Sequence, residues 1–514
     1  MKGLFEMSNL PKWLNSAVFY QIYPQSFKDT NGDGIGDING IIEKLDYIRD
    51  LGCNAIWINP CFKSPFRDAG YDISDYYSVA ERYGTNEDLK NLFEEAHKNS
   101  IHVLLDLVPG HTSIDHPYFI KSALDEKNEF TDRYVWTESV YDKPGEDHIS
   151  GFSERNGCCV TNYFSHQPAL NYGYYNPKTS WQQSIDSPGP RANIEELKNI
   201  MRFWLKMGCD GFRVDMASSL VKGDKERLGV IRLWKEIREF IDIEFPEAAI
   251  ISEWGEPQKS IAGGFHMDFI LPFMEFNTNS LFRCDEPYFS SRGKGTALDF
   301  IENFRKMYSD TNGNGLICIP TGSHDCGRIA ESFTDDEMKL IFAFILSMPG
   351  APFIYYGDEI GMKQVKGIKS VEGGYNRTGG RSPMQWNDGV NCGFSSAAAE
   401  KLYIPVDPNS DRPTVKKQLK DEKSLLSEVK KLVNIRNNNA ALQSEGMVEF
   451  IGTDFPLIYR RRNSGESVVV IINPLGRDLQ INDFNGEIIY SNNEIMRKNG
   501  KISIPSQSFA FIKE

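Results

Sequence analysis

Gly208-Cys209-Asp210-Gly211-Phe212-Arg213-Val214-Asp215-Met216 is a short apolar segment that ends in charged side chains. Arg213 and Asp215 are two residues apart, so in a β-strand both side chains point to the same side. An arginine beside a carboxylate keeps it ionised and oriented, which a nucleophilic carboxylate requires. A purely structural ion pair is the alternative interpretation.

Two further apolar segments also end in an acid. Ala248 to Trp254 delivers Glu253, and Leu316 to Asp325 ends in Gly322-Ser323-His324-Asp325. Carboxylates at the C-terminal ends of several strands are typical of parallel-barrel enzymes. Segments with a helical apolar period alternate with these strands and give eight strand-helix units. The pattern predicts an α/β protein, a (β/α)8 TIM barrel.

Two segments depart from this alternation. Residues 109–180 are rich in Gly, Pro, Asn, Tyr and Ser without a sustained period, which predicts a subdomain inserted after the third strand that walls the substrate cleft. From residue 443, short alternating strands predict a C-terminal antiparallel β-domain. The predicted divisions are residues 1–108 and 181–442 for the catalytic barrel, 109–180 for the inserted subdomain and 443–514 for the C-terminal domain.

Composition restricts the partners. A net charge of −14 and a pI near 5.2 argue against nucleic acid and anionic membranes, which both need clustered Lys and Arg. Nine cysteines at unrelated spacings indicate a reduced compartment. The first seven residues lack a signal-peptide pattern and no stretch approaches the roughly 20 apolar residues of a membrane span. We expect a cytoplasmic protein with a small-molecule substrate and no organic cofactor, and of the oligomeric states a monomer is favoured.

A loop after the first strand carries candidate metal ligands. Asp29-Thr30-Asn31-Gly32-Asp33-Gly34-Ile35-Gly36-Asp37 places oxygen ligands at alternating positions with glycines between them, as in sites that wrap Ca²⁺ or Mg²⁺. The loop begins like an EF-hand, but Gly40 stands where the twelfth-position Glu belongs, so that identification fails. A solvated Asx-rich turn is the alternative.

Five motifs, taken in order, resemble those of the α-amylase superfamily, family thirteen of the glycoside hydrolases. They are Asp106 to His111, Gln167-Pro168-Ala169-Leu170-Asn171, Gly211 to Asp215, Ser252-Glu253-Trp254 and Ser323-His324-Asp325. The resemblance covers nearly the whole chain. It implies that Asp215 is the nucleophile, Glu253 the general acid/base, and Asp325 the carboxylate that grips substrate hydroxyls.

The same resemblance implies that His111 and His324 hydrogen-bond the sugar at the cleaved residue and that Arg213 belongs to the substrate-binding set. A retaining mechanism uses one ionised and one protonated carboxyl, about 5–5.5 Å apart. We therefore expect Arg213 to lower the pKa of Asp215. Nearby negative charge and partial burial should raise the pKa of Glu253.

Within the superfamily, the chain is most similar to the oligo-1,6-glucosidase and α-glucosidase branch. The likeness rests on Gly70 to Tyr76, on the loop from Asp29 to Asp37, and on Arg381-Ser382-Pro383-Met384-Gln385-Trp386. In that branch the loop binds calcium, which implies a structural Ca²⁺, or Mg²⁺, held by Asp29, Asn31, Asp33, Asp37 and the carbonyl of Ile35.

The branch also implies how the terminal glucose is held. Tyr71 would stack on it, Asp72 would join the substrate-binding residues, and Asp68 would pair with Arg381 to close the cleft behind the sugar.

Three positions depart from the family pattern. Gly110 stands where Asn is usual and removes a ligand of the α-amylase calcium site, and Ala169 replaces the acid of the 1,6-specific motif. Met216 follows the nucleophile where the branch carries Val or Thr, the residue associated with the choice between α-1,6 and α-1,4 bonds. The preferred linkage is left open.

The leading prediction is a retaining, exo-acting α-glucosidase that removes terminal non-reducing glucose from short oligosaccharides through a covalent glucosyl-enzyme. A glucosyltransferase or sucrose-isomerase-like transglucosidase is the first alternative, because it differs only in what attacks that intermediate. A non-catalytic relative, such as the barrel ectodomain of an amino-acid transporter heavy chain, is disfavoured because Asp215, Glu253 and Asp325 are all present.

Overall fold

The computed structural model describes residues 10–271 and 279–514, so the predicted lack of a signal peptide at residues 1–7 lies outside the described residues. Eight parallel strands form the central sheet: β1 (Phe19–Ile22), β2 (Ala55–Ile58), β3 (His102–Leu107), β4 (Gly211–Val214), β5 (Ala249–Ser252), β6 (Met267–Phe269), β7 (Leu316–Cys318) and β8 (Phe353–Tyr355). Their order is β7-β6-β5-β4-β3-β2-β1-β8. A parallel bridge between Pro320 and Phe353 joins the two outer strands. The predicted barrel is confirmed.

Helices surround the sheet. In the described ranges they are α1 (Ile38–Ile42), α2 (Leu45–Leu51), α3 (Asn86–Lys98), α4 (Pro117–Ser122), α5 (Pro188–Met207), α6 (Leu228–Glu244), α7 (Pro257–Ala262), α8 (Asn279–Phe282), α9 (Leu298–Asp310), α10 (Asp335–Ser347), α11 (Val415–Gln418) and α12 (Leu425–Asn437). The helical segment that ends at Leu51 is divided into α1 and α2. The backbone of Lys44 leaves the helical region there, and its ammonium group lies 4.8 Å from the Trp386 ring centroid.

The strands are buried on both faces, as expected of a parallel sheet covered by helices. One set of side chains fills the barrel interior, where Phe19 stacks on Phe353 with ring centroids 4.2 Å apart and Trp57 contacts Phe269. The alternate set packs against the helices. The barrel centre is thus a packed core, and the site must lie at one end of it.

Strand β4 approaches β5 so closely that its first residue must be glycine. Gly211 has φ +146°, and a Cβ added to it would lie 1.9 Å from the carbonyl oxygen of Ala249. The two strands pair with Val214 opposite Ser252. Asp215 and Glu253 therefore leave the sheet side by side at its C-terminal edge.

Between β3 and β4 lie α4 and a two-stranded antiparallel pair, His148–Ser150 with Cys158–Val160. A bridge between His111 and Ala169 ties the start of this segment to its end. None of the described helices is long and apolar enough to cross a membrane.

The C-terminal part is antiparallel, as predicted. Its strands are β9 (Met447–Thr453), β10 (Leu457–Asn463), β11 (Glu466–Asn473), β12 (Leu479–Asn482), β13 (Glu487–Ser491), β14 (Met496–Lys498), β15 (Lys501–Ile504) and β16 (Ser508–Lys513). They form a sheet ordered β9-β10-β11-β16-β13 and a second ordered β12-β15-β14.

Candidate active site

A pocket of about 700 Å³ lies at the C-terminal ends of the barrel strands. Its volume falls within the range of about 300–1,000 Å³ found for small-molecule sites. Most of the predicted site residues line it, namely Asp68, Tyr71, His111, Asp215, Glu253, Asp325 and Arg381. The three predicted catalytic carboxylates are thus brought to one pocket from β4, β5 and the segment after β7.

One buried guanidinium organises the carboxylates. Nη1 of Arg213 lies 2.9 Å from Asp106 Oδ1 and 3.0 Å from Asp215 Oδ1, and its Nη2 lies 2.8 Å from Glu253 Oε1. The backbone N–H of Met216 donates to Glu253 Oε2 at 3.0 Å. Arg213 therefore holds Asp215 and Glu253, the predicted nucleophile and acid/base, in fixed positions relative to each other, and it is not among the residues that line the pocket.

The pKa values of Asp215 and Glu253, the two carboxyls predicted to react, are shifted in the same direction. Burial raises the pKa of Asp215 to about 7 and that of Glu253 to about 7, while Arg213 opposes both shifts. The expectation of a lowered pKa for Asp215 is wrong. Arg213 acts in the expected direction, but it is shared with Asp106 and Glu253, and desolvation of Asp215 exceeds its effect.

Asp325 is in the opposite electrostatic situation. Burial alone would raise its pKa, but His324, Arg381 and Arg377 together hold the pKa of Asp325 well below its usual range. Arg377 Nη1 lies 2.5 Å from Asp325 Oδ1, and Arg381 Nη2 lies 3.3 Å from the same oxygen. Asp325 is therefore the carboxylate of the site that is most firmly ionised.

The predicted pairing of Asp68 with Arg381 is wrong: among the described ion pairs, Arg381 binds Asp325 instead. Asp68 Oδ2 accepts a hydrogen bond of 2.7 Å from Gln167 Nε2, which belongs to the segment between β3 and β4. Burial raises the pKa of Asp68 to about 7, although Gln167, Arg381 and Arg377 oppose this shift. The inserted segment, not the Met-Gln-Trp motif, supplies the partner.

Tyr71 lines the pocket, whereas His324, which was also expected to contact the sugar, does not line it and packs against Tyr71. Their rings stack with centroids 5.4 Å apart, and the Tyr71 hydroxyl lies 2.7 Å from His324 Nε2. His324 Nδ1 accepts from the amides of Gln21 and Asn59 at 3.1 Å each, so its proton is on Nε2. Burial lowers the pKa of His324 to about 3. A neutral His324 lies behind Tyr71.

His111 lines the pocket directly, and burial lowers its pKa to about 3. Its Nε2 donates to the carbonyl of Tyr71 at 3.1 Å and its Nδ1 accepts from Asn162 Nδ2 at 3.1 Å. Both ring nitrogens thus have protein partners. The predicted hydrogen bond to the sugar requires one of these contacts to be exchanged.

Asp72 does not belong to the pocket lining, contrary to the prediction. Its side chain is fully buried and accepts hydrogen bonds from the backbone N–H groups of Arg67 and Asp68 and from the Ser64 hydroxyl. It folds the loop that carries Asp68 and Tyr71. Its role is to position those two residues.

The side chains of the predicted metal loop accept hydrogen bonds from the backbone of the same loop. Asp29 accepts from the N–H groups of Gly32 and Gly34, and Asp37 accepts from Thr30 and Gly40. Among the described residues, no three His, Cys, Asp or Glu side chains are grouped as a metal site.

The donor set nevertheless fits a hard cation. Asp29 and Asp37 are only 2% and 4% exposed, and neither forms an ion pair within the described ranges. Each carboxylate has about four lone-pair sites, more than these N–H groups use. Asn31 and the carbonyl of Ile35 add neutral oxygens of the type that Ca²⁺ prefers.

Several residues that contact the site were not predicted as site residues, among them Gln21, Asn59, Gln167 and Arg377. Gln167 lies in a quoted motif, so its neighbourhood was indicated. Arg377 lies in an irregular polar connection, 52 positions from Asp325. No local pattern identifies such a contact.

A parallel βα barrel that presents three carboxylates around one arginine at its C-terminal end has the site of a glycoside hydrolase. Residues 21–445 match the family described as alpha amylase, catalytic domain. The chain belongs to the α-amylase family, and it is an enzyme of the glycoside hydrolase class.

Three comparisons illustrate the family relation. The chain is 30% identical to an oligo-1,6-glucosidase of Parageobacillus thermoglucosidasius, over 95% of this chain and 94% of that protein. It is 31% identical to alpha-amylase 3 of Dictyoglomus thermophilum, over 98% and 94% of the two chains. Its fold superposes on the trehalulose synthase of Pseudomonas mesoacidophila with a TM-score of 0.81 and 26% identity, covering 98% and 99% of the two chains.

Proposed function

We propose that the protein is a retaining, exo-acting α-glucosidase that hydrolyses terminal non-reducing α-linked glucose from short oligosaccharides. The observation that carries this proposal is the contact of Asp215 and Glu253 with different nitrogens of one guanidinium, with Asp325 lining the same pocket. The similarity to a protein named oligo-1,6-glucosidase supports it.

The chemistry follows from the two carboxyls next to Arg213. Asp215, ionised, attacks the anomeric carbon while Glu253, protonated, gives its proton to the leaving glycosidic oxygen. A glucosyl ester on Asp215 results. Glu253 then removes a proton from water, which attacks the anomeric carbon and frees Asp215. The Met216 amide orients Glu253 through both steps.

Asp325 binds the sugar and takes no direct part in breaking the glycosidic bond. Arg377 and Arg381 bind Oδ1 and keep Asp325 ionised, so Oδ2, which lies 3.1 Å from His324 Nε2, retains lone pairs that can accept strong hydrogen bonds from glucose hydroxyls. His111, which lines the same pocket and is neutral because burial lowers its pKa to about 3, adds a polar group without adding charge. This division leaves Asp215 and Glu253 free for the covalent chemistry.

The exo mode of attack follows from the end of the pocket formed by Asp68, Gln167 and Arg381, which are each no more than 8% exposed. The hydrogen bond from Gln167 to Asp68 joins the inserted segment to the barrel loop and limits the room behind the first sugar. A pocket closed in this way accepts one terminal glucose.

Maltotriose and longer chains labelled at the reducing end are therefore expected to lose glucose stepwise from the other end, and starch should be a poor substrate. Product chains separated by length at early times measure this. Asp68→Ala should weaken binding of short substrates, whereas Asp46→Ala, at an exposed position, should not. Cleavage inside an end-blocked oligosaccharide by the intact protein would show that the pocket is open at both ends.

Transfer to a sugar instead of water is the competing outcome, and the structural similarity to a trehalulose synthase gives it weight. Incubation with maltose, isomaltose, sucrose and trehalose, each at high concentration, separates the two. Free glucose should dominate among the products. Predominance of new disaccharides would establish a transglucosidase and also reveal which linkage is formed.

The proposal includes one structural cation, Ca²⁺ or Mg²⁺, held by the loop from Asp29 to Asp37. Two observations support it: the buried carboxylates of Asp29 and Asp37 form no ion pair in the described part of the chain, and oxygen-bearing residues alternate along the loop. The ion would compensate buried charge, and no catalytic step requires it.

Removal of the cation by chelator is expected to lower the melting temperature, because an ion that binds only the folded state stabilises it by mass action. Initial activity should change little. Thermal unfolding with chelator and with added Ca²⁺ or Mg²⁺ measures the effect, and Asp33→Asn should reduce it. A melting temperature that responds to neither treatment would identify an Asx-rich turn without metal.

A further inference from the structure

A second cavity of about 330 Å³ lies next to the catalytic pocket, and none of the described residues that line it also lines that pocket. It is bounded by helix α5, by the inserted segment and by the strand Asp75–Val79. Its walls contain four tyrosines together with aliphatic side chains: Tyr76, Tyr77, Tyr118, Tyr172, Leu170 and Ile200. This size is within the range of small-molecule sites.

Two residues of this cavity are buried as a whole but present to it a polar atom without a partner among the described residues. Tyr172 is 2% exposed, and its hydroxyl forms no hydrogen bond with any described residue. His116 is 6% exposed, and its Nδ1 accepts the backbone N–H of Tyr118 at 3.1 Å. The ring proton is therefore on Nε2, which is likewise without a described partner. Both atoms are accessible from the cavity, so both are free to hydrogen-bond a molecule that enters it.

A fixed acceptor faces the same space. Glu196 Oε1 accepts hydrogen bonds from the hydroxyls of Tyr77 at 3.0 Å and Tyr118 at 3.2 Å, which immobilise the carboxylate. Its Oε2 is bonded to none of the described residues. The cavity thus combines two groups able to donate, one oriented acceptor, and aromatic faces.

We propose that this cavity binds one neutral, unphosphorylated pyranose. Tyrosine faces suit the apolar C–H face of a sugar ring, while Tyr172, His116 and Glu196 match its hydroxyls. Burial lowers the pKa of His116 to about 4, so it is a neutral donor. The one lysine of the lining, Lys63, is exposed at the rim, and Asp75, Asp115 and Glu196 disfavour an anion.

The cavity is linked to the catalytic pocket through Tyr76. Its hydroxyl donates to the backbone carbonyls of Val108 at 2.7 Å and His111 at 2.8 Å. His111 lines the catalytic pocket, while the next residue, Thr112, lines the second cavity. A sugar against Tyr76 would therefore alter the backbone that positions His111.

D-Glucose is the probe, and this choice rests on the proposed function, of which glucose is the product. Detection of bound glucose in a crystal structure does not require that the enzyme be active. A crystal structure of the whole protein with D-glucose should show a pyranose in the second cavity within hydrogen-bond distance of Tyr172, His116 and Glu196. In Tyr172→Phe, affinity for this cavity should fall about tenfold. Tyr141→Phe, at a 90% exposed position of the same segment, should leave it unchanged.

Inhibition by glucose supplies the measurement in solution. The wild type should show a noncompetitive component in addition to competition at the catalytic pocket, and Tyr172→Phe should lose that component. If Tyr172→Phe does not fold, Ile200→Trp, which fills the cavity, replaces it. The proposal would be overturned if the cavity held only ordered water at saturating glucose. It would also be overturned if both variants bound glucose in the cavity, and were inhibited by it, in the same way as the wild type. Failure of the α-glucosidase proposal would instead appear as absent turnover with the sugar still bound.

Discussion

Replacing Asp215 with asparagine is expected to lower kcat by roughly 10⁴-fold or more, a loss typical of a removed nucleophile. Asparagine has nearly the same shape and can still accept a hydrogen bond from Arg213, which lies 3.0 Å away. It cannot form the glucosyl ester. The variant should remain folded, because it removes one of the three carboxylates that share a single guanidinium. Steady-state kinetics on maltose and thermal unfolding measure the two properties.

Asp210 offers a matched control on the same strand segment. It lies at the opposite end of β4, where its carboxylate contacts His97 at 2.8 Å and His102 at 2.9 Å. Acids at that end of a barrel contribute to stability rather than to catalysis. Asp210→Asn should therefore lower the melting temperature and leave kcat nearly unchanged. Near-normal turnover by Asp215→Asn would show that another group is the nucleophile.

The barrel and its three carboxylates were predictable because their signals are local. A short apolar segment that ends in an acid marks the C-terminal end of a strand, and parallel strands bring such ends to one edge. Asp215, Glu253 and Asp325 needed no knowledge of distant contacts. The close approach at Gly211 then fixes how β4 meets β5, which places the first two acids side by side.

What could not be predicted depends on contacts between residues far apart in the chain. Gln167 meets Asp68 across 99 positions, and Arg377 meets Asp325 across 52. The direction of the Asp215 pKa shift also depends on distant contacts. It could be predicted only with the knowledge that Arg213 is shared among three acids and that all of them are buried. The family resemblance predicts that Asp72 binds the sugar, yet its side chain turns back to the loop backbone.

The effect of Glu253→Gln on the first step of the reaction should depend on whether the leaving group needs a proton, which allows the two steps to be studied separately. Glutamine cannot protonate the glycosidic oxygen, so hydrolysis of oligosaccharides should fall by roughly 10²–10⁴-fold. An aryl glucoside whose phenol leaves without protonation should still form the glucosyl ester on Asp215. Because the same side chain removes the proton from water in the second step, that ester should accumulate and give a burst of phenol.

The pH dependence follows from the same role. Burial raises the pKa of Glu253 to about 7, and the first step needs its protonated form, so wild-type kcat/KM on oligosaccharides should fall as pH rises above about 7. With the aryl substrate, Glu253→Gln should lose this alkaline decline. Glu256→Gln, three residues on and paired with Lys259, should retain the wild-type profile. An equal loss on both substrate classes without a burst would mean that Glu253 is not the proton donor, and the acid would then have to be sought elsewhere among the pocket carboxyls.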